Sequence, residues 1–261
     1  MRRWWQNEAF WRDMGPFLFP DAAWKAAYDD LDEVIELLEV EPGDRILDLG
    51  CGPGRFLLPL VQRGFDVLGV EHCATFRRMA RERATKHQAE LNIRALDILN
   101  AVETHIIEAQ EGGESPQPVE LAHQLGLGTF NAVLDVFALV GYHQSPLVDA
   151  VLMQVLLQTL RPGGWILVQS RDPQMTTGTV KHTSGAGGIC IEQRRYDRAS
   201  RVMSTAWTAY QNGRQRALQS RVRVYSQEDL RELLEFAGFT EVSSWASRSE
   251  ERVTVIGKRP V

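Results

Sequence analysis

Strand patterns that alternate with helical ones, followed by a run of strand-like segments, predict an α/β fold: a sheet covered by helices on both faces, with a small antiparallel β insertion. Three observations carry this expectation. The apolar strand pattern around Ile46 and Leu47 runs into the turn Gly50-Cys51-Gly52-Pro53-Gly54 and leaves it as a helix, the unit from which parallel sheets are built. Two further strand patterns, Asp66 to Val70 and Asn92 to Leu96, each end in a carboxylate, Glu71 and Asp97. From Cys190 to Tyr225 the period changes to alternation, the mark of half-buried strands joined by tight turns.

In chain order, residues 4–19 gather Trp4, Trp5, Phe10, Trp11, Phe17 and Phe19 beside Arg2, Arg3 and Arg12. From Asp21 to Val40, Trp24, Ala27, Leu31, Val34 and Leu38 recur at helical spacing with acids on the opposite face, predicting an amphipathic helix that Pro42-Gly43 ends. In the turn that follows the first strand, glycines at 50, 52 and 54 let the backbone bend tightly and leave its N–H groups open to a ligand. A helix from Ala74 to Leu91 carries arginines beside Glu82 and Glu90, a mixed surface face. Residues 101–129 predict two short helices, Val102 to Ala109 and Val119 to Leu125, around a mobile loop at Glu111 to Pro118. The fourth strand is Phe130 to Phe137, followed by a helix from Pro146 to Leu160 and a fifth strand from Trp165 to Gln169. Thr176 to Gly188 has the composition of a flexible loop. Three antiparallel strands follow at Cys190 to Tyr196, Arg201 to Tyr210 and Arg214 to Tyr225, the last two joined by Asn212-Gly213. Ser226, with Asp229 reaching back, caps a final helix that Gly238 stops, and Val242 to Ala246 with Arg252 to Gly257 close the sheet.

With 261 residues, 44% of them hydrophobic, the chain can bury one substantial core. A net charge of −5 and a pI near 5.7 argue against a nucleic-acid partner. The three cysteines, Cys51, Cys73 and Cys190, lack Cys-x-x-Cys spacing, which speaks against a disulfide framework or a zinc site. No apolar run reaches membrane-spanning length, and the first residues turn polar too early for a signal peptide, so a cytoplasmic protein without a membrane partner is expected.

The run Leu47-Asp-Leu-Gly-Cys-Gly-Pro-Gly54 resembles motif I of the class I S-adenosylmethionine-dependent methyltransferases, and the strands ending in Glu71 and Asp97, the strand at Phe130 and Leu160-Arg-Pro-Gly-Gly follow in that family's order. The resemblance implies a Rossmann-like seven-stranded sheet of order 3-2-1-4-5-7-6 with strand seven antiparallel, S-adenosylmethionine as cofactor and S-adenosylhomocysteine as product. It divides the chain into an aromatic lid (1–20), a cofactor-binding core (21–175), the β insertion as acceptor wall or dimer surface (176–225), and a closing helix and strands (226–261). Asp48 with the backbone of Gly50, Cys51 and Gly52 is expected at the amino-acid end of the cofactor, and Glu71 at the ribose hydroxyls, a place its distance from the glycine turn also suits. The resemblance further assigns Asp97 and Ile98 to the adenine, and leaves His72 either stacked on the adenine or solvated. Asp135, at the carboxyl end of the fourth strand, is expected near the methionine amino group or the sulfonium; it lacks the companion Asp-Asn pair of metal-dependent relatives, so no metal is expected.

On the acceptor side, Gly141-Tyr142 matches a Phe-x-x-x-Gly-Tyr pattern of relatives that methylate small molecules, making Tyr142 and His143 the candidates to orient the acceptor or remove its proton. The alternative is that Tyr142 packs and His143 caps the next helix. Trp5 and Trp11 of the lid, and Arg194 and Trp207 of the insertion, are candidates to line the acceptor pocket; packing on the sheet or plain solvation are the competing readings. The expected reaction is methyl transfer to nitrogen, oxygen or carbon of a small-molecule or short peptide-like acceptor by a monomer or homodimer. A catalytically silent binder of the cofactor is the alternative. A NAD-dependent oxidoreductase is disfavoured because Arg55 stands where a dinucleotide fingerprint needs its third glycine.

Overall fold

The computed structural model describes residues 3–136, 139–173, 180–185, 187–245 and 252–261. Its main sheet has seven strands in the order β3-β2-β1-β4-β5-β11-β10. These are β1 (Arg45–Leu49), β2 (Asp66–Val70), β3 (Asn92–Arg94), β4 (Phe130–Asp135), β5 (Leu160–Arg171), β10 (Thr240–Trp245) and β11 (Arg252–Lys258). Neighbours from β3 to β5 pair in parallel, and β11 runs antiparallel to both β5 and β10. This is the order and the single reversed strand that the motif order implied.

Side chains alternate across this sheet with a period of two. Leu47, Val133, Ile166 and Val168 join one apolar cluster, which takes in α1 (Glu8–Leu18), α5 (Ile98–Glu111), α6 (Pro118–Leu125), α7 (Pro146–Thr159) and α8 (Gln227–Ala237). Ile46, Ala132, Leu134 and Leu167 join the other, under α2 (Asp21–Leu37) and α3 (Leu57–Gln62). Strand β4 is buried along its whole length, as a central parallel strand covered on both faces must be. On the remaining edge, α4 (Ala74–Lys86) is shorter than the sequence predicted; Gln88, at φ 54°, turns the chain out of it. Helix α5 begins earlier than predicted because Asp97 caps it, accepting from the Asn100 N–H at 3.1 Å. The Ser226–Asp229 capping box and the left-handed Gly238 bound α8 as predicted.

The insertion is a separate four-stranded antiparallel sheet rather than a three-stranded one: β6 (Val180–Gly185), β7 (Gly188–Asp197), β8 (Val202–Gln211) and β9 (Arg214–Arg223). The additional strand, β6, lies in the stretch whose Thr, Ser and Gly content suggested a loop; residues 176–179 and 186 of that stretch lie outside the described residues. Alternation in β6 is carried by Val180, His182 and Ser184 against Lys181 and Thr183, a contrast too weak to separate from loop composition. At the β8–β9 turn, Asn212 and Gly213 both have positive φ (51° and 71°), the conformation that selects Asn-Gly in two-residue hairpins.

Candidate active site

The carboxyl ends of β1, β2 and β3 open onto a cavity with about 830 Å³ of empty space, counted to open solvent at its mouth. Of the residues expected at the cofactor, Asp48, Gly50, Cys51, Gly52, Glu71, His72, Asp97 and Ile98 all line it. The turn closes tightly beneath: Gly50 (φ 65°) lies so near Leu139 that a Cβ there would stand 2.9 Å from its Cγ. Glu71 is oriented by two backbone donors, the Gly52 N–H at 3.0 Å and the Cys73 N–H at 2.6 Å. That coupling fixes the carboxylate at the end of β2 to the glycine turn after β1.

Asp48 is 4% exposed, and its Oδ2 has no hydrogen-bond partner among the described residues. Burial pushes its pKa up to about 7, with the charges of Glu71 and Asp135 adding to the rise and Arg55 opposing it. Arg55 also lines the cavity, 8% exposed, with its guanidinium 4.8 Å from the Phe19 ring centroid; burial brings its pKa down to about 10. A buried carboxylate oxygen without a donor, beside a buried guanidinium, is a polar end prepared for a zwitterion. An α-amino acid group has that charge pattern, so the residues present fit the methionine portion of the implied cofactor.

The N-terminal segment contributes part of this cavity's wall. Trp5 sits in a short 3-10 turn (Trp4–Gln6), and Trp11 in α1; both line the cavity and are nearly inaccessible, at 4% and 7%. The carbonyl of Trp5 accepts from Trp11 Nε1 at 2.5 Å and from His72 Nε2 at 2.7 Å. Burial works to lower the His72 pKa, but its bond and proximity to Glu71, with Nδ1 3.2 Å from Oε1, raise it above the ordinary histidine value. Gln6 donates to Asp97 Oδ2 at 2.8 Å, and Glu8 accepts from the Ala74 and Thr75 N–H groups at the start of α4. Trp5 and Trp11 belong to the apolar core and line the cavity at once.

Tyr142 lines the cavity with its ring 4.6 Å from that of Trp4. Burial raises its pKa to about 12, so it is a neutral phenol at physiological pH. His143 is outside the cavity wall and both its nitrogens are engaged: Nδ1 accepts from the Ser145 N–H at 3.0 Å, and Nε2 lies 3.3 Å from Glu103. Burial and the charge of Arg3 lower its pKa despite Glu103. The expectation of His143 as a base is therefore corrected to a structural role in the turn before α7. Asp135 is likewise corrected. It is fully buried, and its two oxygens accept from the Leu139 and Val140 N–H groups at 2.8 and 3.1 Å, forming the turn that leads to Tyr142.

The insertion residues expected at the acceptor do not line the cavity. Arg194 is buried against Glu192, Nε to Oε1 2.6 Å, and Trp207 stacks on Phe10 with centroids 5.2 Å apart, clamping α1 to the small sheet. Sequence reasoning missed Arg55, noticed only as an interruption of a dinucleotide pattern, along with Phe19, Phe76 and Leu139 in the wall. Arg55 adjoins motif I, but Phe19, Phe76 and Leu139 are far from it in sequence and reach the wall only through the fold.

Solved structures share the fold. An S-adenosylmethionine-dependent methyltransferase from Clostridium acetobutylicum superposes with a TM-score of 0.66 at 13% identity, over 91% of this chain and 92% of that one. A sugar N-methyltransferase from Streptoalloteichus gives 0.66 at 18% identity, over 97% and 92%. Among curated relatives, the 23S rRNA (uracil(1939)-C(5))-methyltransferase RlmD of Nitrosococcus oceani is 42% identical over 80 residues, 30% of this chain and 18% of that protein's own length. The corresponding protein of Alkalilimnicola ehrlichii is 46% identical over 57 residues, 22% and 13%. The chain thus spans less than a fifth of these relatives. The matches nonetheless overturn the exclusion of nucleic acid drawn from net charge: a net charge of −5 describes the whole surface and not the patch that meets a ligand. No helix among the described residues is long and apolar enough to cross a membrane. A family model described as a methyltransferase domain matches residues 22–244; the chain belongs to that family and has the fold of S-adenosylmethionine-dependent methyltransferases.

Proposed function

We propose that this enzyme methylates a nucleophilic nitrogen, oxygen or carbon of a small acceptor enclosed beneath the N-terminal aromatic segment. The observation that carries this reading is the N-terminal part of the wall. Trp5 and Trp11 are buried there, leaving a wall of aromatic and aliphatic groups in which a compact acceptor is shielded from water.

S-adenosylmethionine supplies an activated methyl group on a sulfonium whose departure leaves a neutral thioether. The chain's task is therefore alignment more than covalent chemistry. Asp48 and Arg55 would hold the ammonium and carboxylate of the methionine portion, the donorless Oδ2 of Asp48 gaining its partner. Glu71, already oriented by two N–H groups, has lone pairs left for the ribose hydroxyls, and Asp97 with Ile98 would bound the adenine. Tyr142, protonated at neutral pH, would orient the acceptor as a hydrogen-bond donor or acceptor. An acceptor that arrives as a free amine needs no base from the chain.

A second reading, methylation of a base in RNA, is favoured by the partial likeness to the 23S rRNA methyltransferases. One assay separates the two. The enzyme is incubated with methyl-labelled S-adenosylmethionine and, in parallel, a low-molecular-weight metabolite extract and total RNA. Label in the metabolite fraction supports the small acceptor, whereas label confined to RNA overturns it. Binding of the cofactor with no label in either fraction points to the silent binder.

A further inference from the structure

On the outer face of the small sheet, Arg195 of β7, Ser204 of β8 and Arg221 of β9 are direct cross-strand partners, Arg195 opposite Ser204 and Ser204 opposite Arg221. Residues paired across an antiparallel ladder share a face, so the two arginines flank the serine roughly 10 Å apart, two strand spacings. The β7–β8 turn adds Arg198 and Ser200, and together these residues line a groove with about 750 Å³ of empty space open to solvent.

The charge of this groove is only partly offset: Asp197 lines it too, its carboxyl pKa lowered by the Ser200 hydroxyl and the Ala199 N–H and further by the charge of Arg195, so one acid stands against three arginines. Elsewhere on the surface, arginines meet carboxylates: Arg63 with Asp32, Arg78 with Glu82, Arg201 with Asp229, Arg216 with Asp13. Among the described residues no carboxylate forms an ion pair with Arg195, Arg198 or Arg221. The acid in the groove, Asp197, turns to its own loop, accepting from the Ala199 N–H at 3.0 Å and the Ser200 hydroxyl at 2.9 Å. Three arginines and a serine lining one concave surface supply the donors that an anion with several oxygens requires.

The groove is also tied to the methylation cavity. The indole of Trp4 donates to the Arg221 carbonyl at 3.0 Å while its ring packs on Tyr142, and the Arg223 N–H donates to Gly141 O at 2.7 Å. The strand that carries Arg221 is therefore bonded on either side of the tyrosine in the cavity wall.

We propose that Arg195, Arg198 and Arg221 form a phosphate-binding site that anchors a phosphate group of the acceptor. The link to the acceptor rests on the methyl-transfer reading above; the anion site itself does not. Two sources share this chemistry, a phosphorylated small molecule and the backbone of RNA.

Inorganic pyrophosphate and a ten-nucleotide single-stranded RNA are titrated calorimetrically into the wild type and into Arg195→Gln/Arg221→Gln, with S-adenosylhomocysteine titrated as a control. Expected is binding of at least one phosphate ligand to the wild type, weakened at least tenfold in the double variant, with unchanged affinity for S-adenosylhomocysteine. Binding of RNA alone assigns the site to a nucleic-acid backbone; binding of pyrophosphate assigns it to phosphorylated small molecules. No binding of either ligand, or equal binding by the double variant, overturns the proposal. Phosphate binding without S-adenosylhomocysteine binding leaves the groove standing and removes the cofactor-site reading instead.

Discussion

Gln6, in the N-terminal segment, donates its Nε2 to Oδ2 of Asp97, at the start of α5, at 2.8 Å. On the proposed placement of the adenine at Asp97, this oxygen is the one left for the amino group, because Oδ1 of Asp97 already caps α5. On that placement the cofactor displaces the amide or shares its acceptor. In Gln6→Ala the association rate of S-adenosylhomocysteine, followed by stopped-flow tryptophan fluorescence, is expected to rise about threefold to tenfold, the loss of one hydrogen bond to a partly exposed charge. An unchanged rate would mean that this contact does not gate entry.

On the proposed placement of the cofactor's ammonium at Asp48, cofactor affinity depends on pH. Burial raises this carboxyl's pKa to about 7, and the charges facing it are Arg55, Glu71 and Asp135. An ammonium on Oδ2 favours the ionised form, so binding at pH 6 must release close to one proton that binding at pH 8 does not. Affinity for S-adenosylhomocysteine should fall about tenfold from pH 8 to pH 6. Calorimetry in buffers of differing ionisation enthalpy reads the proton count directly, and Asp48→Asn should abolish the component while weakening binding. Proton uptake on binding would contradict the assignment.

Tyr142 and His143 are adjacent in sequence but divided in role. His143→Gln is expected to keep kcat within about threefold while lowering thermal stability, since one ring nitrogen holds the turn and the other meets Glu103 of α5. Tyr142→Phe, which keeps the ring against Trp4 and removes only the hydroxyl, should lower kcat/KM about tenfold to a hundredfold with any acceptor it orients. A reversed ranking of the two variants would restore the histidine as the working group.

Tyr225 donates to Asp149 Oδ2 at 2.7 Å, and Asp149 Oδ1 accepts from the Gly141 N–H at 3.0 Å. Tyr225→Phe leaves a fully buried carboxyl oxygen without its donor, at a cost of about 2 kcal/mol and ~5 °C in Tm for a chain of this size. Gly141→Ala should be more severe. At φ 87° the residue faces the Arg223 carbonyl, which a Cβ would approach to 2.0 Å, so scanning calorimetry should show a larger loss than in Tyr225→Phe.

The main sheet was legible because its signals are local. Apolar runs of strand length, the glycines of the first turn and the carboxylates closing β2 and β3 all lie within short windows, and together they carry the resemblance that implied the strand order and the expected cofactor residues. The rest depends on what meets across long sequence separations. Arg55 becomes part of a binding wall only because Phe19 and Asp48 converge on it. Asp135 and His143 have the chemistry of site residues, yet backbone N–H groups a few residues away claim them first. Trp207 was read as facing an acceptor, and the partner it found was Phe10, far along the chain.

The hydrogen bond from the Arg223 N–H to Gly141 O knits the last strand of the insertion to the turn that carries Tyr142, and Arg223 also reaches Gln144 O through its guanidinium. These two stretches are distant in sequence but form one mechanical unit. An attempt to change the acceptor by exchanging the small sheet between relatives must therefore carry residues 139–144 with it. A sheet transplanted alone would arrive without the seam that sets the tyrosine in place.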